Sequence, residues 1–253
     1  MSRPISPQGK QCDQGEDKSK YVHRHFTSIA RRYDLMNTVL SFGMHYLWKR
    51  RSVKQLNLKS GAVIIDVCGG TADLAILAAR NVGPGGRVIL YDINRAMIEG
   101  GIRKIRKASL EGKIFSVQGD AECLSFPERS FDAAMVGFGV RNLTDMEKGF
   151  SEMYRVLRHK GKLMCLEFSL PSFYWFRLLY DFYSFRVMPL AGKILVGTRE
   201  AYSYLPDTIR RFPPPDKVAD MLCNIGFSKV AYQRVTNGIA VIYTGEKNEA
   251  ELG

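Results

Sequence analysis

One stretch of the chain decides its fold: Val63-Ile64-Ile65-Asp66-Val67-Cys68-Gly69-Gly70-Thr71-Ala72-Asp73-Leu74-Ala75. Its first five residues are β-branched apart from one aspartate, a run too short and too branched to favour a helix. Gly69 and Gly70 allow positive φ angles and let a ligand approach the backbone closely. Thr71 or Asp73 can then cap a helix. The stretch therefore predicts a buried strand, a tight turn and a helix.

A second acidic residue makes this turn a candidate nucleoside site. The run Val88-Ile89-Leu90-Tyr91-Asp92 is another strand-like segment, and its carboxylate lies 22 residues after Gly70. At this spacing an aspartate at the end of a second strand meets the ribose hydroxyls of a nucleoside bound over the first turn. Neither the G-x-G-x-x-G pattern of dinucleotide enzymes nor the Walker pattern G-x-x-x-x-G-K-[ST] occurs. S-adenosylmethionine therefore ranks above nicotinamide as the expected cofactor.

Composition and charge restrict the cellular compartments and the binding partners that are expected for this chain. The cysteines are odd in number, scattered and never spaced as C-x-x-C, which indicates reduced core residues in a cytosolic protein. His23 and His25 are the only histidine pair, and nothing nearby completes a metal site, so no metal is expected. The net charge of +12 suits nucleic acid or an anionic membrane surface, and charge alone does not choose between them. The cysteines are Cys12, Cys68, Cys123, Cys165 and Cys223.

The N-terminal part divides into a leader and a helical cap. Residues 1–20 are polar and lack the apolar core of a signal peptide, so a disordered leader is expected. Residues 21–56 have helical periodicity with a break near Gly43, and no apolar run is long enough for a membrane span. Tyr33, Asp34 and Asn37 lie within about one turn, with Tyr33 and Asn37 on one face. They either brace the helix or reach a ligand, and bracing is favoured.

From Gly61 onward, strand-like runs alternate with helical ones. This alternation predicts a parallel sheet covered on both faces, with the loops after the strands gathered at one edge. The end of the chain has a different pattern. A predicted helix starts at Pro214 and stops at Gly226, and two strand-like runs follow it. These runs are joined through Thr236-Asn237-Gly238, and Asn-Gly between strands is a strong hairpin signal. The predicted strands are 63–67, 87–91, 114–118, 131–138, 162–168, 229–235 and 239–244, and the predicted helices between them are 74–81, 95–110 and 145–158.

These elements predict an α/β fold of the Rossmann-like class I S-adenosylmethionine-dependent methyltransferase type. It would have a mostly parallel seven-stranded sheet, a C-terminal antiparallel hairpin and an N-terminal helical extension. The expected division of the chain is a leader (1–20), a helical cap (21–60), the methyltransferase domain (61–247) with a substrate-side helical insertion at about 171–213, and a tail (248–253).

Polar residues at the strand ends form a candidate cofactor site. The turn after the first strand offers the backbone of Gly69, Gly70 and Thr71, and Asp92 could accept both ribose hydroxyls. Asp120 and Ala121 follow the third strand, where a side chain and an amide could hold an adenine edge, although Asp120 is equally suited to a turn or a helix cap. Gly137 follows the fourth strand, beside the expected methyl group, and its alternative role is tight packing.

At these residues the chain resembles a known family, the ubiquinone/menaquinone biosynthesis C-methyltransferases, also called demethylmenaquinone methyltransferases. The resemblance covers nearly everything from Tyr21 to Lys247, and its most specific parts are Phe138-Gly139-Val140-Arg141-Asn142 and Glu152-Met153-Tyr154-Arg155-Val156-Leu157. Ala72 departs from the pattern, standing where a glycine is common, and Gly137 stands where some relatives carry a serine. The matching stretches also include Tyr33–Asn37, Trp48–Arg50, Asp66–Thr71, Asp92–Asn94, Gly119–Glu122, Leu166–Ser169 and Tyr202–Leu205.

The resemblance implies the transfer of a methyl group from S-adenosylmethionine to a ring carbon of a prenylated quinol, such as demethylmenaquinol, without a metal. The ring carbon is a weak nucleophile until a neighbouring hydroxyl loses its proton. Arg141 is the candidate that favours the developing phenolate, directly or through water, with Asn142 orienting it. The alternative makes Arg141 a structural partner of a carboxylate. Tyr33 and Asp34 could close over the cofactor from the N-terminal helices.

The prenyl tail of such a substrate requires an apolar route near a membrane. Aromatic residues crowd the segment 173–185, which suggests an interfacial or tail-binding helix, with core packing or a homodimer contact as the alternative. Arg103-Lys104-Ile105-Arg106-Lys107 could attract anionic lipid, although such a run is more often a solvated helix face. Weak, salt-sensitive binding to an anionic membrane is therefore expected, with the protein cytoplasmic or peripheral at the inner face of the membrane.

Two functions of other classes remain open. A nucleic-acid methyltransferase would account for the charge, but the chain lacks an Asn/Asp-Pro-Pro-aromatic motif and a Pro-Cys nucleophile, and its basic residues form no recognisable binding module, so no nucleic-acid partner is expected. The other is a non-catalytic cofactor-binding subunit of a quinone-synthesis assembly, against which the intact Phe138–Asn142 stretch argues.

Overall fold

The computed structural model describes residues 18–30, 32–183, 186 and 200–248. Three helices open this part of the chain, α1 (Lys18–Ile29), α2 (Tyr33–Leu40) and α3 (Met44–Gln55). Residues 1–17 of the expected leader lie outside the described residues. Its last three residues, 18–20, belong to the first turn of α1. The break between α2 and α3 occurs where it was predicted. Gly43, with a φ of +74°, is the residue immediately before α3.

The remaining chain forms one sheet with flanking helices. Its order is β3-β2-β1-β4-β5-β7-β6, in which β1 to β5 run parallel and β7 is antiparallel to both of its neighbours. The predicted seven-stranded, mostly parallel sheet with an antiparallel C-terminal hairpin is confirmed. The elements are β1 (Val63–Val67), α4 (Asp73–Asn81), β2 (Arg87–Asp92), α5 (Arg95–Lys107), β3 (Ile114–Gln118), β4 (Phe131–Gly137), α6 (Met146–Val156), β5 (Leu157–Phe168), α7 (Tyr174–Phe182), α8 (Glu200–Arg211), α9 (Pro215–Ile225), β6 (Phe227–Val235) and β7 (Ala240–Lys247).

Apolar side chains cover the sheet on both faces. On one face, α3 and α4 bury Trp48, Val53 and Ala78 against β1, β2 and β4. On the other face, α6 and α9 bury Phe150 and Leu222. Because α3 shares the core with α4, this last helix of the cap is anchored to the sheet, whereas Ile29 and Met36 of α1 and α2 belong to a separate cluster.

The start of β5 differs from the prediction. The predicted helix over 145–158 ends earlier, at Val156, and β5 begins immediately at Leu157 instead of residue 162. The pairing with β4 is irregular here, since Leu157 faces Phe131 while Lys162 faces Ala133. Lys160 takes a φ of +61° within this irregularity. A β-bulge of this kind interrupts the alternation of side chains on which strand prediction relies.

The helix after the glycine turn is capped from the sheet. Neither Thr71 nor Asp73 caps α4, and that prediction is wrong. Instead, Oδ2 of Asp66 accepts a hydrogen bond of 2.9 Å from the N–H of Ala75 in the first turn. The preceding Ala72 is fully buried in the left-handed conformation, with a φ of +69°. That conformation explains why a glycine suits this position, and the alanine methyl compensates for the strain by packing in the core.

The hairpin between β6 and β7 has a longer loop than Asn-Gly predicts. Val235 pairs with Ala240, so four residues separate the strands, and residues 236–238 have positive φ in a turn that the N–H of Ile239 closes by donating to the carbonyl of Thr236. The indole Nε1–H of Trp48 donates a hydrogen bond of 2.8 Å to Oγ1 of Thr236. This contact from α3 holds the threonine in the turn, which a strand-turn-strand pattern does not foresee. Within the described ranges, no helix has both the length and the apolarity to cross a bilayer.

Candidate functional site

A cavity of about 350 Å³, called the polar cavity here for the polar groups in its wall, opens at the carboxyl ends of β1 to β4. Most of the predicted site residues line it: Gly69, Gly70, Thr71, Asp92, Asp120, Ala121, Gly137, Asn142 and Tyr33. Three predicted site residues lie outside its wall, namely Asp34, Asn37 and Arg141. The parallel strands therefore bring the predicted cofactor residues together, as the position of each at a strand end required.

The floor of this cavity is made of glycines that tolerate no side chain. A Cβ at Gly69 would lie 2.4 Å from Cδ1 of Leu90, and a Cβ at Gly119 would lie 2.0 Å from the hydroxyl of Tyr91. Gly70 has a φ of +53°, which favours glycine independently of space. These clashes show that the turns pack tightly against Leu90 and Tyr91, and the same glycines expose their backbone to the cavity.

Asp92 is positioned to accept hydrogen bonds. Its Oδ2 accepts the N–H of Gly70 at 2.9 Å, and its Oδ1 accepts the N–H of Asn94 at 2.8 Å. Burial raises the pKa of Asp92 to about 6, although these backbone donors oppose the rise. A carboxylate oxygen can accept more than one hydrogen bond, so each oxygen keeps capacity for a ligand hydroxyl. This arrangement fits the two hydroxyls of a ribose.

Asp120, Ala121 and Gly137 occupy the rest of the predicted cofactor wall. The Oδ1 atom of Asp120 accepts the N–H of Glu122 at 2.9 Å, a turn contact that leaves Oδ2 available. Ala121 is buried beside it. A Cβ at Gly137 would lie 2.6 Å from Cδ1 of Leu74, so a serine there would require Leu74 to move. Both roles weighed for Asp120, turn residue and cavity residue, are present in the geometry.

Asp66 is a buried acid beneath the cavity. It is fully buried, and its Oδ1 has no hydrogen-bond partner among the residues that the structure describes. Burial raises its pKa to about 8, against the hydrogen bond from Ala75 and the charge of Lys49. In the protein without a ligand the carboxyl group therefore carries its proton near neutral pH.

Replacing Asp66 with asparagine should stabilise the ligand-free protein more at pH 8 than at pH 5. The folded-state pKa lies above the ordinary value of 3.8, so the folded protein holds this proton longer than the unfolded chain, and the free energy of unfolding falls as the pH rises from about 4 to about 8. Asparagine removes that loss and keeps an oxygen for the N–H of Ala75. Thermal unfolding at both pH values measures the effect.

The exposed Asp220 provides the control, since its replacement by asparagine should give the same small shift in Tm at both pH values. If the stabilisation by Asp66→Asn were no larger at pH 8 than at pH 5, that result would contradict the buried, protonated state of Asp66.

A network of ions and hydroxyls ties the N-terminal helices to the glycine turn. Asp34 in α2 accepts the Thr71 hydroxyl at 2.6 Å and the Lys104 ammonium at 2.9 Å. Asp73 accepts Lys49 at 2.7 Å and also pairs with Lys104. Against the effect of burial, the two ammonium groups hold the pKa of Asp73 below its usual value. Asp34 therefore ties α2 to the glycine turn, and Tyr33 lines the cavity.

Arg141 pairs with a carboxylate, which is the structural role named as the alternative to catalysis. Its Nη1 lies 2.9 Å from Oε2 of Glu167, and the two side chains are 6% and 0% exposed. Nη1 also donates to the carbonyl of Phe138, and the Arg141 Nε–H has no acceptor within the described part of the chain. Asn142, the other predicted catalytic residue, lines the polar cavity. A catalytic role for either residue stays a prediction.

A second cavity of about 480 Å³ lies next to the first and is largely apolar. The two share Phe138, whose ring stacks on Phe168 with centroids 4.3 Å apart. Asn37, predicted on the substrate side, is part of this second wall. The other lining residues are Leu40, Ser41, Phe42, Met44, His45, Trp48, Phe168, Tyr180, Phe182, Tyr183, Leu205, Ile209, Thr236 and Ile239.

Several residues at the site were not predicted. Asn94 caps α5 through the N–H of Met97 and also donates to the carbonyl of His23 at 2.9 Å and to Thr27 at 2.8 Å, which fastens α1 over the cavity. An asparagine before a helix predicts a cap, but no sequence pattern predicts the contact of Asn94 with α1. In the sequence, Lys49 and Lys104 likewise have the pattern of ordinary helical lysines. Their contact with Asp73 could not be predicted from it. No group of three metal-ligating side chains occurs in the described ranges.

Solved structures share this fold. A S-adenosylmethionine-dependent methyltransferase from Aquifex aeolicus superimposes with a TM-score of 0.58 at 15% identity, covering 92% of this chain and 99% of the other. The [4+2]-cyclase SpnF gives a TM-score of 0.68 at 14% identity, covering 91% and 97%. At these identities the similarity shows only the fold, and the two proteins are named for different activities.

Sequence similarity is more specific. A ubiquinone/menaquinone biosynthesis C-methyltransferase, UbiE, of Francisella tularensis subsp. novicida is 42% identical over 232 residues, which is 92% of this chain and 93% of the relative. The protein of the same name in Pseudoalteromonas translucida is 41% identical over 231 residues, or 91% and 92%. Residues 14–247 match the ubiE/COQ5 methyltransferase family. The chain therefore belongs to the ubiE/COQ5 methyltransferase family.

Proposed function

We propose that the protein transfers a methyl group from S-adenosylmethionine to a ring carbon of demethylmenaquinol, or of the equivalent prenylated quinol. The observation that carries this proposal is the pair of adjoining cavities, one with polar groups in its wall and one largely apolar, that have Phe138 in common. A methyl donor and an apolar acceptor need such a pair, because the reacting atoms must meet while the two molecules occupy different surroundings.

The polar cavity fits S-adenosylmethionine. Asp92 would hold the ribose hydroxyls, the open backbone of Gly69 and Gly70 would accommodate the methionyl part, and Asp120 with Ala121 would border the adenine. The bound molecule supplies a methyl group already activated by a sulfonium. What remains for the protein is to align that group with the acceptor and to make the acceptor nucleophilic.

The apolar cavity fits a prenylated quinol. Its wall is rich in aromatic and aliphatic side chains, among them Trp48, Phe168 and Ile209, which exclude water from the reacting carbon. The names of the similar proteins include both ubiquinone and menaquinone, and we propose demethylmenaquinol as the acceptor.

Asn142 and Arg141 keep different proposed roles. Asn142 lines the polar cavity and would orient the substrate oxygen near the methyl group. The guanidinium of Arg141 is bonded to Glu167 and to the carbonyl of Phe138, so it would act chiefly by holding the 138–142 loop. The predicted phenolate role would require this loop to move, because Arg141 lines neither cavity.

Comparing a prenylated quinol with the same ring lacking its tail tests this assignment. We expect kcat/KM for the tail-less ring to be lower by about 100-fold or more, since each buried methylene contributes about 0.8 kcal/mol of binding free energy. Equal kcat/KM for both quinols would contradict the assignment of the apolar cavity to the tail.

We further propose that the mouth of the apolar cavity rests on an anionic membrane. Phe42 and Phe182 line this cavity and are nevertheless largely exposed, and Trp175, on the same helix α7 as Phe182, is 81% exposed. Exposed aromatic side chains of this size enter the headgroup region of a bilayer, and the net charge of +12 favours anionic lipid.

Replacing Phe42 and Trp175 together with serine should reduce binding to anionic vesicles by about tenfold at low salt, because the loss of two interfacial aromatics removes on the order of 1–3 kcal/mol. Sedimentation with vesicles measures the bound fraction. Phe115 is the control, since it is exposed on β3 at the opposite edge of the sheet and its replacement should change nothing. A wild-type protein that stayed in the supernatant, or that eluted as a dimer sensitive to the same substitutions, would contradict the membrane proposal.

A further inference from the structure

Lys49 reaches the wall of the polar cavity with its ammonium group. The ammonium lies 2.7 Å from Oδ2 of Asp73 and 5.9 Å from the centre of the Phe138 ring. Both of these residues line the polar cavity, as Lys49 itself does, and the Lys49 side chain is only 7% exposed. The charged end of this side chain is therefore held between two residues of the cavity wall.

The rest of the charge in this wall is mostly negative. Among the lining residues that the structure describes, Lys49 is the only lysine or arginine. The acidic side chains of the same wall are those of Asp66, Asp73, Asp92, Asp120 and Glu122. The ionised members of this set would repel a carboxylate carried by a ligand unless a cation met it. Lys49 is the residue of the wall that can supply this cation.

The ammonium of Lys49 keeps donors for such a ligand. A lysine ammonium has three hydrogens, and Asp73 is its one acceptor within the described ranges of the chain. Buried polar groups are normally paired, so a further acceptor close to Lys49 is expected. Lys104 also pairs with Asp73 and does not line the cavity. Asp73 therefore keeps a counter-charge when Lys49 shares its hydrogens with a ligand.

The order of the strands places the amino-acid end of the cofactor beside Lys49. Adjacent strands lie about 4.8 Å apart, and the order β3-β2-β1-β4 arranges Asp120, Asp92, the glycine turn and Phe138 along the cavity in that sequence. With the adenine at Asp120 and the ribose at Asp92, the methionyl part continues over β1 towards β4. Lys49 contacts one residue after each of these two strands, Asp73 and Phe138.

We propose that the ammonium of Lys49 binds the α-carboxylate of S-adenosylmethionine, an inference that rests on the proposed function. The carboxylate accepts hydrogens that Asp73 leaves unused, and Lys104 continues to neutralise Asp73. Hydrogen bonds between charged groups are roughly twice as strong as those between neutral ones. Because Lys49 lies near Phe138, which the two cavities have in common, this contact anchors the methionyl end of the donor next to the apolar cavity.

Lys49→Met tests the proposal with two ligands, S-adenosylhomocysteine and its decarboxylated analogue, which differ only in the carboxylate. We expect the wild-type protein to bind S-adenosylhomocysteine about 10- to 100-fold more tightly than the analogue, as the strength of a charged hydrogen bond indicates. In Lys49→Met this preference should disappear, and the affinity for the decarboxylated analogue should not fall. Isothermal titration calorimetry measures the four affinities.

Lys104→Met is the matched control, because it removes the other ammonium that pairs with Asp73 and takes no residue from the cavity wall. Its preference for the carboxylated ligand should equal that of the wild-type protein. If Lys49 were only a structural partner of Asp73, Lys49→Met would weaken the binding of both ligands by the same factor. That result, or a wild-type protein that binds both ligands equally, would overturn the proposal.

If Lys49→Met fails to fold, a crystal structure of the wild-type protein with S-adenosylhomocysteine decides. A carboxylate oxygen about 2.7–2.9 Å from Nζ of Lys49 would support the proposal. A carboxylate held only by backbone N–H groups of α4 would overturn it. Failure of the proposed function gives a different result, namely wild-type protein that shows the expected preference between the two ligands but methylates no quinol.

Discussion

Replacing Glu167 with alanine is expected to lower the free energy of unfolding by about 3–5 kcal/mol, because it leaves the buried guanidinium of Arg141 without its counter-charge. Glu167 is fully buried, and its two oxygens accept the side chain and the backbone N–H of Arg141 and the N–H of Phe168. The substitution therefore also loosens the loop that carries Asn142. Urea unfolding measures the change.

The surface pair of Lys229 and Glu246 is the matched control for this prediction. The Lys229 side chain is 74% exposed, so Glu246→Ala should cost no more than about 1 kcal/mol. Replacing Arg141 and Glu167 together with methionine should restore most of the stability, since no charge is then left unpaired. Destabilisation by Glu167→Ala no greater than that of Glu246→Ala would show that the buried pair does not hold this loop.

Replacing Asp92 with alanine should weaken the binding of S-adenosylmethionine about 100- to 1,000-fold. Hydrogen bonds to a charged acceptor contribute about 1.5–3 kcal/mol each, and water recovers part of that when the carboxylate is removed. Affinity of the wild-type protein should also fall as the pH drops below about 6, since the protonated carboxyl group has lost acceptor capacity. Isothermal titration calorimetry measures both effects.

Asp220→Ala is the control for Asp92, because that exposed carboxylate lies in α9, away from the cavity. Undiminished affinity in Asp92→Ala, with the same melting temperature as the wild-type protein, would mean that the nucleoside is held elsewhere.

The parallel sheet and its cofactor edge were predictable because both depend on local sequence. A β-branched run such as Val63–Val67 cannot form a stable helix, and a residue that ends a parallel strand must lie at the ligand-binding edge. Asp92 and Gly70 could therefore be placed without knowledge of any tertiary contact.

The cap and the substrate side were harder to predict because they depend on contacts between distant segments. Asp73 meets Lys104 across 31 residues, and the Trp48 indole holds Thr236 across 188. The irregular start of β5 was missed for a similar reason, since its pairing with Phe131 and Ala133 involves a separate segment of the chain.

Incubation with S-adenosylmethionine labelled in its methyl group, together with demethylated prenyl quinols and with RNA, tests the central claim most directly. We predict that the label appears on a ring carbon of demethylmenaquinol, and that Asp92→Ala abolishes the transfer at cofactor concentrations that saturate the wild-type protein. Label found on a quinol oxygen or on RNA, or no transfer to any quinol by protein that binds the cofactor, would contradict it.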